Sequence, residues 1–182
     1  MPLKIITKNS PYYLITISIF ILLKFIYTLS NTNYLIFILK PTSTLIELVT
    51  NSKGEFVTES GYLHKKLTIL INKSCSGFNF WLLCFTMLAF LAFQFLERRI
   101  HKIVVLPILL FSTYVLTIGV NTSRILFSIF IDNTIKNMTG YTKTNWLHQA
   151  EGVFIYLSFL IIIYLCFNFI LKKIRHFYAT ST

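Results

Sequence analysis

The chain has 182 residues, of which 55% are hydrophobic and 13% charged, and its formal net charge is +11. With a mean hydropathy of +0.68 it carries more apolar surface than a soluble domain of this length can bury, which points to a polytopic membrane protein. The positive balance is not that of a nucleic-acid binder: Lys and Arg sit beside apolar runs, where membrane orientation places them, and no basic run is interleaved with aromatics.

Lys4 and Lys8 precede a first apolar run over 12–29, interrupted by Lys24. The run is longer than a signal-peptide core and no small-x-small site follows it, so it reads as a retained span with Lys24 snorkelling toward the outer face. Residues 34–49 are apolar but broken by Pro41 and Glu47. They are too short to cross and predict a re-entrant or interfacial helix. The stretch 51–72 is polar enough to lie outside the membrane and predicts a small extracytoplasmic β-hairpin with Ser60-Gly61 in its turn.

A polar knot follows, Asn72-Lys-Ser-Cys75-Ser-Gly77-Phe-Asn79, and then a second span over 78–96. Gly77 lets the backbone turn sharply where a helix must start. A thiol at such a start feels unpaired N–H groups, and Lys73 adds to the bias toward thiolate. Taken singly, Cys75 reads rather as a buried packing cysteine. Cys84 and Cys166 lie inside apolar segments and read as packing residues, so no disulfide framework is expected.

The second span ends in Glu97, Arg98, Arg99, His101 and Lys102. The third covers 103–131, roughly 29 residues or about 43 Å as a straight helix, against a bilayer core of about 30 Å. It is expected to tilt strongly or break, with Gly119 as the weak point. The last span, 152–171, is closed by Lys172, Lys173 and Arg175. The expected fold is thus an all-α polytopic membrane bundle of about four transmembrane helices, with the interfacial helix and the hairpin added. It forms one domain over 1–182, with cytoplasmic tails at 1–10 and 172–182. The basic clusters put both tails inside, so the loops at 31–76 and 132–147 face outward.

That topology brings Cys75, Arg124 and His148 to one depth on the outer side. Arginine in an apolar stretch is costly, about 3 kcal/mol on insertion scales, so a functional role competes with snorkelling to the headgroups. Asn121 shares its helical face and can orient the guanidinium. His148 is either an interfacial anchor beside Trp146 or a proton shuttle. Glu151, three residues on, is either a first-turn helix acid or a partner for the imidazole. His64, His101 and His176 read as solvated. Together the trio supplies a nucleophile, an oxyanion stabiliser and an acid/base. No CxxC, HExxH, carboxylate cluster or glycine-rich phosphate loop is present, so no metal is expected.

Cys75-Ser-Gly77-x-Asn79, then Asn121-x-x-Arg124-Ile125, then His148 followed by Gly152 and an aromatic-rich last span, resemble the exosortase/archaeosortase family. The approach Ile69-x-Ile71-x-x-Ser74-Cys75 is similar as well, and the resemblance spans roughly residues 34–171. It looks like the short bacterial forms, such as exosortase K or the F-type. The resemblance implies a cofactor-free membrane cysteine transpeptidase of the bacterial cytoplasmic membrane, with its site on the extracytoplasmic side. Cys75 would be the nucleophile, Arg124 the transition-state stabiliser and His148 the acid/base, supported by Asn121, Gly77, Asn79 and Glu151. Its partners would be membrane-anchored proteins bearing a C-terminal motif, transmembrane helix and basic tail, and an envelope acceptor not specified by the sequence. Two other readings stay open: an acyltransferase carrying a lipid acyl group on Cys75, and a non-catalytic subunit or transporter with Arg124 as an anion site.

Overall fold

In the computed structural model the backbone is described for residues 3–139 and 145–180, and side chains for 9–136 and 150–174. Five α-helices occupy it: α1 (Leu3–Leu29), α2 (Ile36–Thr50), α3 (Phe78–Phe95), α4 (Arg99–Thr139) and α5 (Asn145–Thr180). Four stretches are long and apolar enough to cross a membrane: Asn9–Leu29, Lys73–Phe95, Arg99–Lys136 and Ala150–Ile174. The expected all-α polytopic membrane fold stands, and the chain is an integral membrane protein. Along these helices hydroxyl side chains turn back on carbonyls four residues earlier, as at Thr16, Thr86, Thr113 and Thr122. That pairing lets them enter hydrocarbon without an orphaned O–H.

Of the two outcomes expected for the third apolar segment, tilt or break, the break does not occur. Helix α4 runs unbroken through Gly119, whose missing side chain faces nothing within 4 Å. Glycine lowers helix propensity without ending a helix whose backbone groups have no alternative partner in lipid. Most of 132–147, expected to be a loop, is also helical, because α4 continues to Thr139 and α5 starts at Asn145.

By internal packing the chain divides into two compact units. The first holds Met1–Thr28, Asn79–Val115 and Leu160–Thr182. Its centre is aromatic: Tyr12 and Tyr13 pack on Phe93 at 5.7 Å between ring centres, and Tyr13 meets Phe90 edge-on at 4.9 Å. Asn9 donates to the Phe93 carbonyl at 2.8 Å, satisfying an acceptor in the last turn of α3. Lys102, 2% exposed, donates to Asn9 Oδ1 and lies over the Tyr12 ring. Trp81 Nε1 donates to the Leu110 carbonyl at 3.0 Å, linking α3 to α4. Lys24 donates to Asn79 Oδ1 at 2.6 Å and lies over Tyr27. An ammonium in an apolar segment requires such an acceptor.

The second unit holds Leu29–Phe78 and Leu116–Phe159. Helix α2 has 15 residues, too few to span, in keeping with the interfacial reading, and it ends on Asn51 in the left-handed conformation. The expected hairpin is a three-stranded antiparallel sheet in the order β1 (Glu55–Val57), β2 (Gly61–His64), β3 (Ile69–Ile71). Pairing puts Val57 opposite Gly61 and Tyr62 opposite Ile71. Gly61 is therefore the first residue of a middle strand, with φ +116°, and the turn precedes it. A short 3₁₀ turn at Lys65–Leu67, with Thr68 left-handed, returns the chain to form β3.

His64, expected to be solvated, is fully buried. Its Nε2 meets Ser43 Oγ of α2 at 2.9 Å, and its Nδ1 lies 2.9 Å from the Ser52 carbonyl. At the end of β2 it packs against α2, where both ring nitrogens find partners, which burial requires.

Candidate active site

The nucleophile candidate sits on a tight turn packed against α4. Asn72 accepts from the Ser74 N–H at 3.1 Å, and a single 3₁₀ turn follows over Lys73–Cys75. The thiol precedes the first turn of α3 by three residues, in the polar knot just before the second span. Ser74 Oγ commits its proton to Asn72 Oδ1 at 2.7 Å, which leaves its oxygen free to accept from Cys75 Sγ at 3.8 Å. Lys73 donates to the Ser30 carbonyl at 2.7 Å. Gly77 has φ +73°, and a methyl group there would stand 3.1–3.2 Å from Asn121 and Thr117 atoms. Glycine is thus needed twice, for the left-handed turn and for close approach to α4.

Asn121 is fully buried. Its Nδ2 donates to the Cys75 carbonyl at 2.6 Å, and its Oδ1 accepts from the Tyr156 hydroxyl at 2.6 Å. These two bonds fix the cysteine turn and link it to the Arg124 seat through Tyr156. The Arg124 guanidinium stacks over the Tyr156 ring, 5.1 Å from its centre. A methyl group on Gly152 would lie 3.3 Å from Arg124 Nη1, so the bare backbone of α5 forms the rest of the seat. The structure joins Cys75 to Arg124 through two side chains, Asn121 and Tyr156.

Asn79 is taken by Lys24. Glu151 lies on α5 one residue before the Arg124 seat and is half-buried. The His148 side chain lies outside the described residues, and so does its expected pairing with Glu151. In the backbone register of α5, His148, Gly152 and Tyr156 succeed each other at intervals of four, on one helical face. Sequence reasoning passed over Tyr156, although its spacing from Gly152 was a usable signal. Among the described residues no group of His, Cys, Asp and Glu could hold a metal.

Residues 56–165, well over half of the chain, match the family model described as transmembrane exosortase, EpsH. The match opens in β1 and closes on α5, inside the 34–171 stretch of the sequence resemblance, and leaves α1 and α2 outside. No curated protein and no solved structure matches the chain. With this match and its membrane-spanning helices, the chain belongs to the transmembrane exosortase family, whose general role is membrane transpeptidation in protein sorting.

Proposed function

We propose that the protein is a membrane cysteine transpeptidase that cleaves the C-terminal sorting signals of exported proteins through an acyl-enzyme on Cys75. The carrying observation is the Cys75–Asn121–Tyr156–Arg124 linkage, which ties a nucleophile's turn to a permanent cation. In this reading Cys75 Sγ attacks the scissile carbonyl while His148 takes the thiol proton. Arg124 stabilises the oxyanion, an effect strongest where water is scarce. Collapse of the tetrahedral intermediate breaks the C–N bond, and His148 returns the proton to the departing amine. An amine of the envelope acceptor, or water, then attacks the thioester and frees Cys75.

The substrates would be proteins with a motif, a transmembrane helix and a basic tail, held in the bacterial cytoplasmic membrane. Confinement of that helix to the bilayer supplies much of the entropy of encounter. The site would open on the extracytoplasmic side, as the placement of basic clusters supports.

The test is co-expression with a tail-anchored protein of this type. Cys75→Ala should abolish processing at unchanged protein level, and Arg124→Lys should lower it by about 100-fold or more, since a point charge does not replace a stacked planar guanidinium. Processing at wild-type rate by Cys75→Ala would rule the reading out, and a lipid thioester trapped on wild-type Cys75 would favour the acyltransferase instead.

A further inference from the structure

The face of α4 that seats the cysteine turn does not end there. Asn121, Ile125, Ile129, Asp132 and Lys136 follow one another at spacings of three and four and so form one stripe. Past Asn121 the stripe walls a cleft of about 480 Å³. Its opposite wall is the return into β3, with Lys66, Thr68 and Ile69. Ile69 begins β3, an edge strand bonded to β2 on one side only. The walls thus combine aliphatic side chains, the start of an edge strand and three charges. Among the described residues none of Lys66, Asp132 and Lys136 forms an ion pair, while Lys65 next door is paired with Glu55 at 2.6 Å.

Resting on the transpeptidase reading, we infer that this cleft binds the acyl-side segment of the substrate, as an extended peptide bearing carboxylate side chains. The apolar pattern of α4 gives way to Asp132, Asn133 and Lys136 at the cleft, so the cleft lies toward water, opposite to where a substrate's own apolar helix must sit. The segment on the water side of the scissile bond is the part retained on Cys75 in the acyl-enzyme. Eight residues of helix from Asn121 to Ile129 cover about 12 Å and fifteen to Lys136 about 22 Å. An extended chain advances about 3.3 Å per residue, so the cleft receives positions about four to seven residues before the cleaved bond. Backbone groups on the β3 edge suit an extended chain, and Lys66 and Lys136 outnumber Asp132, which selects acidic over basic side chains.

The test uses the full-length Cys75→Ala protein in lipid nanodiscs and two fluorescein-labelled nonapeptides, identical except for three central Glu or three central Lys. Polarisation should show at least tenfold tighter binding of the Glu peptide. Lys66→Glu with Lys136→Glu should reverse the preference, and Lys66→Gln with Lys136→Gln should abolish it. Reversing Lys172 and Lys173 should change nothing. Equal binding of both peptides, or equal loss from the Lys172 and Lys173 reversal, overturns the cleft and leaves the transpeptidase reading intact. On the catalytic protein, with a reporter cleaved in a Cys75-dependent manner, the Lys66/Lys136 reversal should raise KM and spare kcat. Wild-type processing by Cys75→Ala would instead overturn the transpeptidase reading, and the substrate assignment with it.

Discussion

Gly77 and Tyr156 carry the site at the scale of single residues. Gly77→Ala would place a side chain in the left-handed region and against Asn121. About 1–2 kcal/mol of stability should be lost, readable as a lower unfolding temperature in detergent together with reduced processing. Tyr156→Phe keeps the ring under Arg124 but removes the hydroxyl from Asn121. It should cost about 1 kcal/mol, or roughly fivefold in rate, whereas Tyr156→Leu removes both contacts and should cost clearly more. Equal rates for the two variants would detach Tyr156 from the cation. Cys75, Gly77, Asn121 and Arg124 were legible in the sequence because polar or conformationally special residues stand out against an apolar background. Tyr156 was not, because a tyrosine in an aromatic-rich span looks like packing. His64 was not, because lysines follow it in sequence, while its burial depends on Ser43 and Ser52, twenty-one and twelve residues away.

At the scale of elements, the join between α2 and the sheet is a polar lock. Gly54 N–H donates to Glu47 Oε1 at 2.9 Å, and a methyl on Gly54 would fall 2.6 Å from Ser43 Oγ and 2.7 Å from His64 Nε2. Ser43→Ala leaves a buried ring nitrogen without its partner and should cost about 1–3 kcal/mol. Gly54→Ala should cost a similar amount through overpacking. In both variants limited proteolysis should cut within 51–64 faster than in wild type.

Tyr62 on β2 adds a pH dependence. Burial, and then the Glu47 carboxylate, hold its phenol above the ordinary 10.0. The stability tied to the neutral phenol is whole below the unfolded value and is lost as pH rises through the raised one. Unfolding monitored from neutral to strongly alkaline pH should therefore show a loss that Tyr62→Phe lacks. The span 78–96 anticipated α3 to within a residue, since an uninterrupted apolar run of that length has one solution in lipid. The middle strand β2 merged with the expected turn, because strands of three or four residues are too short for a period to register.

At the scale of the whole molecule the three thiols form a built-in probe of topology. All are unpaired: Cys84 is fully buried, Cys166 is exposed within an apolar span, and Cys75 lies half-exposed in the polar turn. A membrane-impermeant maleimide applied to intact cells should label Cys75 and spare the other two, because burial shields one and hydrocarbon covers the other. Labelling that requires inverted vesicles would reverse the proposed orientation. The number and order of the spans followed from hydropathy, but the position of Cys75 on the flank of α4 did not. That position depends on Asn121 reaching a carbonyl 46 residues away in sequence, a long-range pairing that no local pattern announces.

None of the apolar window of α5 is buried within the protein, yet this helix bears Gly152 and Tyr156, the seat of Arg124. Its greasy flank must therefore be wetted by acyl chains, and the proposed site is completed by the fatty solvent around it. Extraction into harsh short-chain detergent should silence processing before the α2–sheet lock gives way, and return to bilayers of native thickness should revive it.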